Sequence, residues 1–368
     1  MTYNLTRKRA ISLAVVLSLG FGAVTFLSGR RARRAPAAPA TQAPPQTPRP
    51  DSAKPASTAI DTLAGDPNRK APAPLDSGGT ARKSYRAGED PAYAARMGWP
   101  VEMPAALPGA ILPNRRIIAY YGNPLSKRMG ALGEYEPQEM LRRLDREVKK
   151  WQAADPNTPV QPALHLIAVV AQGDAGPSGK YRTIMRDTMV EMVYGWARSR
   201  NAIMFIDIQT GHSNIRELLP RFEQFLKRPD IHVGVDPEFM MKTGHKPGAK
   251  IGTMDASDIN YVSGYLADLV RKYNLPPKVL TIHRFTRNGV TNYRQIKLRP
   301  EVQIVIHMDG WGAPWLKRDS YKDYVVSEPV QYTGFKLFYH NDTKKGDPLM
   351  APQDLLKLEP KPLYIQYQ

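Results

Sequence analysis

From Arg116 to Gln368, short β-branched or aromatic runs alternate with longer stretches of helical character, and few folds accept that order. The runs are RIIAYYG (116–122), ALHLIAVVA (163–171), AIMFIDIQ (202–209), IHVGVD (231–236), KVLTIHRF (278–285), VQIVIHMD (302–309), GFKLFYH (334–340) and LYIQYQ (363–368). Between them, apolar periodicity predicts helices over 137–154, 183–199, 214–227, 255–273, 316–326 and 351–358. The fifth connection, around 288–300, is short and only weakly helical. Strands that alternate with helices form parallel βαβ units. Eight such units over about 250 residues match a (β/α)8 barrel. An open doubly wound sheet usually carries a Gly-rich phosphate turn after its first strand, and YYGNPLSKRMG lacks that spacing. The expected fold class is therefore α/β, a (β/α)8 TIM barrel over residues 116–368. No helix follows the eighth run, so the segment 86–115, with Trp99, is expected to cap the gap between the eighth and first strands or to close the barrel bottom.

The chain before the barrel reads differently. Residues 1–10 are a basic segment containing TRKR, and residues 11–29 run 19 residues without a charge. A helix of that length spans roughly 28 Å, close to the hydrocarbon core of a bilayer. Arg30, Arg31, Arg33 and Arg34 follow at once, where a cleaved signal peptide would carry small neutral residues. The expectation is an inner-membrane anchor, with a cleaved signal as the alternative. Residues 30–85, rich in Pro, Ala, Ser and Thr, hold too little apolar surface to offset their ordering entropy and predict a disordered tether. The barrel would then stand in the periplasm or outside the cell.

Charge and cysteine narrow the function classes. The formal net charge is +18, but residues 1–85 carry 13 Lys/Arg against 4 Asp/Glu and residues 86–368 carry 39 against 30. The barrel is thus only mildly basic, and no zinc-finger or RNP-like pattern accompanies it, so no nucleic-acid partner is expected. The absence of cysteine excludes disulfides, thiolate metal sites and a cysteine nucleophile.

In this architecture the site forms at the C-terminal ends of the strands. Those ends carry Tyr121, Asn123, Asp207, Gln209, Asp236, Glu238, His283, His307, Asp309, Trp311, Lys336, Tyr339 and Gln366. Residues i and i+2 of a strand share a face, which pairs Asp207 with Gln209, Asp236 with Glu238, and His307 with Asp309. Pro237 cannot donate to the ladder, so it ends the fourth strand and leaves Glu238 at the mouth. A carboxylic acid beside Asp236 has its pKa raised by the like charge, as a general acid requires. Asp309 or Asp207 across the mouth would serve as nucleophile or base, and two carboxylates flanking a bond are the glycosidase arrangement. Tyr121, Asn123, Gln209, His283, His307, Trp311, Lys336, Tyr339 and Gln366 are the expected substrate-binding set. Aromatic residues at the same strand ends (Tyr120, Tyr121, Phe239, Trp311, Trp315, Tyr339, Tyr367) suit sugar rings, although ordinary rim packing is the better reading of Tyr120 and Phe239. The long connections 239–254 and 341–350 are candidate lids over the mouth.

The phrases YYGNPLSKRMGALGEYEP, IDIQTGHS, DPEF, HRFT, HMDGWG, GFKLFYHND and LYIQYQ resemble an exported bacterial family without an assigned activity, over roughly residues 100–368. More distantly, the D-x-E at the end of the fourth strand is similar to that of chitinase-like glycoside hydrolases, without their longer acidic signature. The leading expectation is a glycoside hydrolase-like protein acting on an envelope or extracellular polysaccharide, with no cofactor and no metal. Asp207, Asp236, His283, His307 and Asp309 are also metal-ligand types, so a metal-dependent phosphodiester or acyl hydrolase is the second reading, although no HxH or HExxH spacing is present. The third is a non-catalytic barrel that binds glycan or scaffolds an envelope assembly.

Overall fold

The computed structural model describes residues 86–368; the expected anchor at 11–29 and tether at 30–85 lie outside them. Among the described residues no helix is long and apolar enough to cross a membrane. Eight strands form the barrel: β1 (Arg116–Gly122), β2 (Val160–Ala171), β3 (Ile203–Ile208), β4 (Ile231–Val235), β5 (Lys278–Arg284), β6 (Val302–Met308), β7 (Tyr332–Leu337) and β8 (Tyr364–Tyr367). Each pairs in parallel with its neighbours. β1 bonds to both β2 and β8, which closes the ring.

Two apolar clusters follow from the two-residue period of the strands. Ile118, Tyr120, Leu164, Met204 and Ile206 point outward and pack under the helices. Ile117, Ala119, Ala163, Ile203, Phe205, Val279, Val305, Tyr332 and Tyr364 fill the lower barrel interior together with Leu112. Leu112 comes from the segment before β1, and the carboxamide of Gln303 clamps it there by accepting from the Ile111 and Leu112 amides at 3.0 and 3.1 Å. Further upstream, the Trp99 indole donates to the Val326 carbonyl at 2.8 Å and Glu89 pairs with Arg318. Residues 86–115 thus close the barrel bottom and its β6–β7 side. The β8–β1 wall is covered instead by the helix Pro137–Ala154, where Met140, Leu141, Leu144 and Trp151 make a buried stripe and the Trp151 indole donates to the Tyr367 hydroxyl at 2.9 Å.

The helix Ala256–Tyr273 starts in a capping box of Asp255 and Asp258 and stops at Asn274 in the left-handed region. Other connections depart from the expected pattern. The stretch 214–227 is three four-residue turns rather than one helix, because Pro220 has no amide to donate and breaks the ladder. The helix expected from 183 starts at Asp187, since Arg182–Ile184 pairs antiparallel with β2. The stretch 316–326 starts at Pro314 and widens into a π-helix at Tyr321–Val326. The helix expected over 351–358 is only Pro352–Leu355. β7 runs over 332–337 rather than 334–340, which moves Tyr339 off the strand. The fifth connection holds only 3-10 turns and the strand Val290–Thr291, which pairs with Met254–Asp255.

Candidate active site

Above the apolar floor, the same inward positions turn polar. They are Tyr121 (β1), His165 (β2), Asp207 (β3), His283 (β5), His307 (β6), Lys336 (β7) and Gln366 (β8), followed at the rim by Gln209, Asp236 and Asp309, all buried. Strand register sets these levels: Tyr121 faces His165, Asp207 faces Gly234, His283 faces His307, and Lys336 faces Gln366. Gly234 on β4 is needed for the crowding here, because a Cβ at that position would lie 2.3 Å from His165 Nε2 and 2.4 Å from Asp207 Oδ1.

Asp207 is the hub of the lower tier. Its Oδ2 accepts from the Tyr121 hydroxyl at 3.0 Å, and its Oδ1 lies 3.3 Å from His165 Nε2 and 3.5 Å from His283 Nε2. His165 Nδ1 meets the Tyr364 hydroxyl at 2.5 Å, and the Gln366 amide donates to that hydroxyl at 2.9 Å. In the upper tier, His283 Nδ1 bonds Asp309 Oδ2 at 2.7 Å, and Lys336 Nζ reaches Asp309 Oδ1 at 2.9 Å. The same ammonium stands 4.0 Å from the Tyr121 ring centroid, a cation–π contact. Gln209 donates to Asp236 Oδ2 at 3.2 Å, and Asp236 Oδ1 accepts from the Glu238 amide at 3.1 Å.

These contacts drive the proton affinities apart. Burial lifts the Asp236 carboxyl, and the Asp309 and Asp207 charges add to it, so its pKa rises to about 7. Burial together with the Asp236 and Asp309 charges pushes Glu238 well above the usual carboxylate range. Burial also works against ionising Asp309, yet Lys336 and His283 outweigh it and hold Asp309 below its ordinary value. Asp207 is likewise held low, against burial, by His283 and His165. His283, flanked by both carboxylates, overcomes its own desolvation and rises to about 10, whereas His165 falls to about 4 because burial dominates.

The expected site residues are not all brought together. Tyr121, Asp207, Gln209, Asp236, His283, His307, Asp309, Lys336 and Gln366 share the barrel interior, with half-buried Glu238 beside Asp236. Trp311 follows β6, 6% exposed, and its indole N–H has no protein partner. Asn123 instead ties the turn after β1, donating to the Ile167 carbonyl at 2.9 Å and accepting from the Leu125 amide. Tyr339 sits on the outer side of the wall, stacked 5.2 Å from Tyr367 and bonded to the Tyr120 hydroxyl at 3.0 Å, so these three aromatics do not line the mouth. The 239–254 connection is held to its neighbours by backbone bonds from Gly211 to Phe239 and from Gly252 to Glu238. His165, Gly234 and Tyr364 lie below the strand ends, where position at the end of a strand gives no signal. The two-residue alternation of ALHLIAVVA is the signal that places His165 inward.

Among the described residues two groups can hold a cation, His165–Asp207–His283 and His283–His307–Asp309. The structure therefore defines a parallel (β/α)8 barrel with a buried acid–histidine–lysine cluster under its C-terminal rim. No family model and no curated protein matches the chain. Among solved structures it is similar to a mutant form of Cel5A from Thermotoga maritima in complex with cellobiose, at 11% identity over 69% of this chain and 88% of that one, TM-score 0.35. It is also similar to a broad-specificity endoglucanase from Clostridium longisporum (8% identity, 61% and 75% of the two chains, TM-score 0.31). A family 5 xyloglucanase from Paenibacillus pabuli gives 12% identity over 64% and 82%, TM-score 0.31. Each likeness is one of chain path and transfers no residue role.

Proposed function

We propose that this barrel is a glycoside hydrolase-like enzyme that cleaves an envelope or extracellular polysaccharide by acid–base chemistry. Glu238 is the proton donor and Asp309 the ionised partner. One observation carries this reading: at the same rim Asp309 is bonded by the cations Lys336 and His283, whereas Asp236 is bonded by the neutral Gln209 and the Glu238 amide, so that proton affinity is lowered at Asp309 and raised at Asp236 and Glu238. Groups pushed apart in this way mark an acid and its base or nucleophile. Asp309 is favoured over Asp207 as the partner because its side chain is 7% exposed, whereas that of Asp207 is fully enclosed. Lys336 and His283 fix the Asp309 carboxylate in place. Asp236 accepts from the Glu238 amide and so sets the donor's backbone. The expected membrane anchor at 11–29 would place this chemistry outside the cytoplasm, where such polymers lie.

The test is release of new reducing ends from a panel of bacterial envelope and extracellular polysaccharides. On any polymer that is cleaved, Glu238→Gln should cut the rate by roughly 10²–10⁴-fold, the usual worth of a general acid. Unchanged turnover in that variant removes Glu238 from the mechanism. The alkaline limb of the wild-type rate should lie well above the ordinary carboxylate range, because burial and the Asp236 charge hold the proton on Glu238, and it should vanish in any residual activity of Glu238→Gln.

A further inference from the structure

Three polar atoms in the lower tier are left idle by the acid–base reading. His165 Nε2, Asp207 Oδ1 and His283 Nε2 are buried within 4.8 Å of one another, and although the carboxylate oxygen stands at ion-pair distance from both nitrogens, none of the three makes a well-directed hydrogen bond. Such orphaned groups are costly in a closed interior, so something of matching chemistry is expected among them. We propose that His165, Asp207 and His283 form a binding site for a divalent transition metal of the zinc class, beneath the acidic rim. The assignment does not rest on the polysaccharide reading.

The two carboxylate–imidazole separations match a tetrahedral ion. Asp207 Oδ1 lies 3.3 Å from one imidazole nitrogen and 3.5 Å from the other. A tetrahedral zinc ion with bonds of about 2.0–2.1 Å places its ligand atoms roughly 3.3–3.4 Å apart. Two imidazoles with one carboxylate suit zinc and its neighbours, whereas magnesium and calcium prefer oxygen ligands throughout.

The outer partners follow the same logic. Metal-binding histidines bond through their other ring nitrogen to a group that fixes tautomer and orientation. His283 Nδ1 is held by Asp309 at 2.7 Å and His165 Nδ1 by the Tyr364 hydroxyl at 2.5 Å. Asp207 has its second oxygen occupied by Tyr121 at 3.0 Å. Each residue is thus anchored through one atom and leaves the other within 4.8 Å of its two counterparts. Gly234 completes the cradle, since any side chain there would fill the space between His165 and Asp207. The second group, with His307, is the weaker candidate because Asp309 already serves His283 and Lys336.

The experiment is titration of the purified full-length chain, stripped with a chelator, with cobalt(II) and then zinc(II). One equivalent of cobalt should produce the visible d–d absorption of a tetrahedral centre, and zinc should displace it. His165→Gln and Asp207→Asn should each weaken binding by more than about tenfold, and Tyr364→Phe, which removes only an outer partner, by about tenfold. His340→Gln, altering an exposed histidine paired with Glu134, should leave the titration unchanged. Absence of the tetrahedral spectrum at one equivalent in the wild-type chain overturns the proposal. Persistence of that spectrum in both ligand variants overturns it too. If circular dichroism shows either ligand variant unfolded, the wild-type and Tyr364→Phe titrations decide alone.

Discussion

Asp236 is the residue whose protonation most directly ties the site to stability. Its carboxyl accepts from Gln209 and from the Glu238 amide, and faces the charges of Asp207, His283, Asp309 and Lys336. Between its ordinary value of 3.8 and about 7 the folded chain holds a proton there that the unfolded chain has released. Stability from this group is therefore present below about pH 4 and is lost as pH rises to about 7. Asp236→Asn resembles the protonated form. Urea unfolding should find the variant more stable than the wild-type protein above about pH 7, with the gap closing toward pH 4. An equal gap at both ends would mean that the carboxyl is not protonated in the folded state.

At the scale of elements, the β6 and β7 connections are locked by a pair that neither strand supplies. Lys317, in the helix Pro314–Ser320, donates to the Gly310 carbonyl at 2.7 Å and pairs with Asp342 at 2.9 Å, both side chains being buried. Asp342 also accepts from the Gly312 and Phe338 amides at 2.9 Å each. The loop 341–350, a candidate lid by its length, is therefore pinned at its base. Breaking a buried pair by removing one partner typically costs about 3–5 kcal/mol, since the remaining charge has no partner. Asp342→Ala should lose stability on that order in denaturant titration, whereas Lys317→Met combined with Asp342→Leu should recover part of it. A double variant as unstable as the single one would show that the carboxylate acts through its backbone bonds rather than through Lys317.

For the whole molecule, the barrel works because its floor is apolar and its rim polar, and Leu112 seals that floor from outside the ring of strands. Truncating it leaves a cavity under Ile117, Phe205 and Val305, so Leu112→Ala should cost about 2–5 kcal/mol by thermal or denaturant unfolding. A change below ~1 kcal/mol would mean that the floor collapses onto the gap. Much of this architecture was legible in the sequence. Eight apolar runs separated by amphipathic stretches leave little choice but a parallel barrel, and the side-chain period of two assigns His307 with Asp309 and Asp207 with Gln209 to single faces. Pro220 and Arg182–Ile184 show the limit: local periodicity cannot see a broken turn or a strand recruited by a neighbour. Position along the chain puts Tyr339 and Asn123 at the mouth, but their side chains answer to the outer wall and to a turn. The residues alone determined which ionisable and aromatic side chains this chain carries and at which end of each strand. Which polar atoms meet, at what distance, and with which charges beside them depended on ring closure, because setting β2 and β8 on either side of β1 joins residues as far apart in the chain as His165 and Tyr364.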